Sequence, residues 1–111
     1  MTEGRLYHVI ATGPDFIYQG ETAYFLFYHY AAGALADAVT SAKIGIKCDE
    51  DGQTVLVSTT AMTPSATGTY PYSYTASATA AVGWYTAQAI FTNTADVNKE
   101  GTIHFRVLES I

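Results

Sequence analysis

The 111-residue chain has one cysteine, three prolines, one tryptophan and five lysines and arginines together. A lone Cys48 rules out an internal disulfide. Free cysteine is among the most buried residue types, so Cys48 is read as a small buried hydrophobe. Asp49, Glu50 and Asp51 follow it, a setting that disfavours a thiolate. Scarce, scattered cations exclude a phosphate-tracking nucleic-acid surface. They equally exclude adhesion to an anionic membrane. No run approaches the ~20 apolar residues of a membrane-spanning helix. Residues 1–5 are polar with no apolar segment behind them, so no secretory signal is expected.

Zinc-type histidine spacing is also missing. His8, His29 and His104 are read as sheet histidines; His8 and His104 lie on terminal strands that often pair in such folds, so the two could be close. Asp49-Glu50-Asp51-Gly52 resembles a fragment of a calcium loop, but no bidentate acid closes it. Serines lack a nucleophile-elbow context, acids sit mostly in turns and at the termini, and glycines are isolated. No catalytic residue, metal or cofactor is expected, and the chain is read as non-enzymatic.

What is present is β-forming. Hydrophobic residues make up 49% and charged residues 14% of the chain, the reverse of a disordered composition. The net charge is −5. Short aromatic and β-branched runs are broken by Gly, Asn, Asp and Ser. Strands are expected at residues 6–12, 21–30, 42–48, 54–59, 69–76, 84–92 and 102–108. A kink at Gly13-Pro14-Asp15 carries residues 16–18 along the other sheet. Residues 49–52 form a hairpin turn, residues 93–101 a polar turn, and residues 31–39 a crossover loop. Ala42, Ile44, Ile46 and Cys48 alternate with Lys43, Gly45 and Lys47, the clearest half-buried pattern. Pro71 marks residues 69–76 as an edge strand or its start. Together these features predict one all-β domain over 1–111, with its core at about 6–108. The fold class is an antiparallel immunoglobulin-like β-sandwich of about seven strands.

Several local patterns carry a resemblance. They are Tyr18-Gln19-Gly20-Glu21-Thr22, Gly33-Ala34-Leu35-Ala36-Asp37, Asp51-Gly52, Gly68-Thr69-Tyr70-Pro71-Tyr72 and Gly83-Trp84-Tyr85-Thr86. The run, over about residues 18–108, resembles immunoglobulin-like modules of bacteriophage virion proteins. It is also similar to macroglobulin-like and bacterial surface modules. The resemblance implies a structural or binding module without catalysis. With no leader segment expected, it implies a capsid decoration, collar or neck/tail protein made in the host cytoplasm and located in the virion.

The resemblance also orients the strand at 21–30. Ala23, Phe25, Phe27 and His29 turn to the core, leaving Tyr24, Leu26, Tyr28 and Tyr30 outside. An antiparallel sandwich normally shows water a polar face. In the strand at 84–92, Trp84 and Ile90 face outward with Thr86 and Gln88 between them. The two outward sets are expected in different sheets. Tyr24, Leu26, Tyr28, Tyr30, Trp84 and Ile90 are therefore candidate interface residues, for other virion proteins or copies of the chain in a homo-oligomer or lattice. Two other readings stand beside this one. The loop at 31–39 could fold over the aromatics. Alternatively, Tyr70, Tyr72, Tyr74 and Trp84 could form a glycan platform, making the chain a carbohydrate- or host-surface-binding module.

Overall fold

Alternation of period two places side chains on opposite faces of a strand, and it governs the long central strands of this chain. The structure, a computed structural model, describes residues 7–49, 55–93 and 98–110. Most of the expected turn at 49–52, the start of the first strand at Leu6 and the middle of the turn at 93–101 lie outside the described residues.

Among the described residues nine strands are formed: β1 (Tyr7–Thr12), β2 (Phe16–Tyr18), β3 (Thr22–Ala31), β4 (Ala34–Leu35), β5 (Ser41–Cys48), β6 (Val55–Ala61), β7 (Thr69–Thr75), β8 (Gly83–Thr92) and β9 (Asn98–Leu108). Those other than β2 and β4 have six residues or more, matching the seven strands expected. In the first sheet β3 is central. β1 pairs with one side of it, and β7 with the short β4 pairs with the other. The second sheet has the order β2-β9-β8-β5-β6. The chain changes sheets after Thr12, so β2 runs parallel to β9 while β1 stays with β3. This is an immunoglobulin-like sandwich.

The core lies between the sheets. From the first sheet come Ala23, Phe25, Phe27 and His29 of β3 and Tyr70 of β7. From the second come Ile44 and Ile46 of β5, Tyr85 and Phe91 of β8, and Phe105 and Val107 of β9. Large rings meet small residues. A Cβ on Gly101 would lie 2.8 Å from Val9 and 3.1 Å from the Phe27 ring, so the glycine admits the facing sheet. The Phe25 and Phe105 rings meet at 5.3 Å, and Tyr70 and Phe91 at 5.0 Å edge-on. Such pairs add about 0.5–1.5 kcal/mol beyond area burial. Cys48 is buried on the inward face of β5.

Polar groups close both ends of this core. Tyr85, near the start of β8, donates its hydroxyl to the Ala81 carbonyl at 2.6 Å, the tyrosine-corner bond of such sandwiches. At the other end, buried His29 contacts the Ala36 carbonyl through Nδ1 (2.6 Å) and the Asn93 amide through Nε2 (3.0 Å). Asn93, expected at the start of a polar turn, is itself buried, and its Oδ1 accepts the Val39 N–H. The loop at 36–40 is thereby tied to the sandwich end by Ala36, Ala38, Val39 and Thr40.

Candidate functional site: two unlike outer faces

The first sheet turns the odd face of its alternation to solvent. Cross-strand register sets His8 beside Tyr30, Ile10 beside Tyr28 and Thr12 beside Leu26 on the β1 side. On the other side Tyr30 meets Leu35, Leu26 meets Pro71 and Tyr24 meets Ser73. None of these residues is Lys, Arg, Asp or Glu. Tyr24 is 73% exposed, and Ile10 and Leu35 are also exposed. Leu26, Tyr28 and Tyr30 are half-buried by their neighbours on the same face. His8 lies flat on Tyr30, with centroids 4.5 Å apart. A shallow depression of about 530 Å³ opens between Tyr24 and Leu26 on one bank and Pro71 and Ser73 on the other.

The structure thus gathers Tyr24, Leu26, Tyr28 and Tyr30 on one open face. The loop at 31–39 does not fold over them. Ala32 and Gly33 make a tight hairpin, with φ of 51° and 82°, and return the chain as β4 at the edge of β3. From there the loop caps the sandwich end. Ile10, Leu35 and Pro71 belong to the same patch and were not foreseen. The alternation of His8, Ile10 and Thr12 was readable, but the register that sets them beside β3 was not.

The glycan platform drawn from the sequence does not assemble. Its three tyrosines share a face of β7, but that face is the inner one, because Pro71 and Ser73 take the outer positions. Tyr70 is buried, and its hydroxyl accepts the Ala38 N–H at 2.9 Å. Burial raises the pKa of both Tyr70 and Tyr74 above the usual tyrosine value. Trp84 stands on the far side of the molecule, outside the second sheet.

That second outer face is of another kind. Along β5 it presents Lys43, Gly45 and Lys47, and along β8 it presents Ile90, Gln88, Thr86 and Trp84. β9 adds Glu100, Thr102, His104 and Arg106. The Gln88 amide donates to Glu100 at 3.0 Å, and the Thr86 hydroxyl donates to Asp49 at 2.6 Å while lying 3.1 Å from His104 Nδ1. The Arg106 guanidinium sits 5.7 Å from the Trp84 ring centroid, in a row that continues to Phe16 of β2. Trp84 and Ile90 are therefore on one face together, opposite Tyr24 and its neighbours. His8 and His104 are not close: β1 and β9 do not pair, and each histidine faces outward from a different sheet. Among the described residues no three His, Cys, Asp or Glu side chains converge as a metal site.

No protein-family model matches the sequence, and no curated protein matches it. Solved structures do resemble the fold. The CARDB domain of the PF1109 protein from Pyrococcus furiosus, described in complex with di-metal ions, is 17% identical, with TM-score 0.56 and 94% of each chain covered. Spo0M, a sporulation control protein from Bacillus subtilis, is 11% identical with TM-score 0.60, over 93% of this chain and 49% of that one. A superoxide reductase (neelaredoxin) from Ignicoccus hospitalis is 9% identical with TM-score 0.57, over 90% and 80%. At such identities the likeness speaks for the architecture alone: this chain has the immunoglobulin-like β-sandwich fold that the CARDB domain also has.

Proposed function

We propose that this chain is a non-enzymatic structural subunit that is held in a multi-copy protein assembly by the outer face of β1, β3 and β7. The assembly we have in view is a phage virion, with the chain as a capsid decoration, collar or neck/tail component. One observation carries the reading: in a chain of net charge −5, the outer face of this sheet has no Lys, Arg, Asp or Glu among its described residues, and tyrosines, leucines and an isoleucine occupy it. Tyrosine is enriched at interface hot spots, where truncation costs about 2 kcal/mol or more.

The size of the face favours a lattice over an isolated dimer. Three strands spaced ~4.8 Å apart and about six residues of rise give a footprint of roughly 15 by 20 Å. That is well under the ~800 Å² per partner of a stable pairwise complex. A single contact of this size is weak, whereas many copies held side by side gain by effective concentration.

Particle binding of a Tyr24→Ala/Tyr28→Ala double variant tests the reading. The variant should keep its fold, since both side chains lie outside the core, and should fall off the particle under conditions that retain the wild type. Retention equal to the wild type would reject this face as the attachment surface.

A further inference from the structure

The second outer face carries chemistry that attachment through the first leaves unused. Three of the five Lys and Arg residues of this acidic chain, Lys43, Lys47 and Arg106, project from it. Lys43 and Lys47 flank Gly45, four residues apart on one strand, so their α-carbons are roughly 13 Å apart. Between them lies a depression of about 320 Å³ whose floor is Gly45 and whose wall includes Thr86, Gln88 and Ile90. Neither lysine is hydrogen-bonded or ion-paired to another described residue. Among the described residues, the Asp49 carboxylate accepts from Thr86 and the Glu100 carboxylate accepts from Gln88, and neither is paired with a lysine. At the end of the same row along β8 stands Trp84, 46% exposed. The Arg106 guanidinium lies over its ring, 5.7 Å from the centroid.

We propose that this face binds an acidic glycan, with Trp84 stacking on a sugar ring and Lys43 and Lys47 pairing with its carboxylates. Each requirement of such a ligand has a counterpart here. Aromatic surface meets the apolar face of a pyranose, the Gln88 side-chain carbonyl accepts from a sugar hydroxyl, and two ammonium groups with no partner among the described residues meet separated negative charges. The wide spacing of the lysines, within a chain of net charge −5, suits a sparsely charged polysaccharide. A densely charged phosphate polymer would need many more cations. Because the site lies on the sheet opposite Tyr24, it leaves the glycan accessible while the other face is covered.

Trp84 is the only tryptophan, so its fluorescence reports the site without a label. The experiment titrates the full chain with a glucuronate-containing tetrasaccharide, with a neutral tetrasaccharide of the same length in a second arm. A saturable change in Trp84 emission is expected with the acidic sugar, weakening as salt is raised. In Lys43→Gln/Lys47→Gln the affinity should fall roughly tenfold for each lysine lost. Tyr24→Ala/Tyr28→Ala should leave the titration unchanged, which separates this site from the attachment face. Both lysines point outward from β5, Lys43 exposed and Lys47 half-buried, so glutamine at either position keeps the core intact, and an unaltered unfolding midpoint verifies this. No emission change with the acidic sugar, equal binding of the neutral one, or full affinity in the lysine variant would each overturn the proposal.

Discussion

Gly68 shows how much of this fold can hang on one residue. It has φ of 70°, a conformation that costs other residues about 1–2 kcal/mol. Its N–H donates to the Asp37 carboxylate at 2.7 Å, and its carbonyl accepts the His29 N–H at 2.8 Å. A Cβ there would lie 2.7 Å from both the Ala36 nitrogen and the His29 carbonyl oxygen, backbone atoms that cannot step aside. Gly68→Ala should therefore lose about 2–4 kcal/mol of stability, strain and overpacking together. Its urea midpoint should drop accordingly, whereas an alanine tolerated without loss would mean that the loop at 36–40 is free to shift. The sequence showed glycines at 33 and 68 and an aspartate at 37, but nothing local says that residues 31 positions apart hold hands. Asn93 was missed for the same reason. A polar residue after a strand reads as a turn until the buried His29 it serves is in view.

At the scale of strands, alternation was the legible quantity and pairing was not. The two alternating sets of β3, β5 and β8 follow directly from period two, because that period is a property of the strand alone, but in β3, apolar on both faces, it was the resemblance that assigned the inward set. Whether the tyrosines of β7 look inward depends on which face meets the other sheet, and here the aromatic set went inside. Whether β1 would lie beside β9 was open in the sequence; the chain switches sheets at residues 13–15, as Gly13-Pro14-Asp15 suggested, and β2 takes the place beside β9. The hairpin before β4 is another non-obvious element. Both its central residues have positive φ, the geometry of a type I′ turn, which favours Asn-Gly over the Ala32-Gly33 present. Ala32 is exposed, so Ala32→Asn should raise stability by about 0.5–1 kcal/mol, read as a higher unfolding midpoint.

The β7 tyrosines also give the strand a signature at alkaline pH. Burial raises the Tyr74 pKa in the folded state, with Cys48 adding to the shift. Below the unfolded value of about 10 both states hold the proton, and this contribution is constant. Above it the unfolded chain releases the proton first, so stability falls as pH rises toward the folded value. Tyr74→Phe should follow the wild type below pH ~10 and lose less stability than it above that pH. Parallel curves across the whole range would show that Tyr74 titrates alike in both states.

Over the whole molecule, the two faces divide the chemistry. The first is uncharged and aromatic, and its neighbours on β1, β4 and β7 extend what β3 alone announced. The second carries Lys43, Lys47 and Arg106 on the same face as Trp84, with Arg106 directly beside it. A sandwich needs neither feature to fold, since the buried rings of Phe25, Phe27, Phe91 and Phe105 already make the core. The most direct test of this division is oxidative footprinting of the free chain and of the same chain in its assembled particle. Tyr24 and Tyr28 should react in the free chain and be protected in the particle, while Trp84 stays reactive in both. Tyr24 labelled to the same extent in both states would contradict attachment through this face.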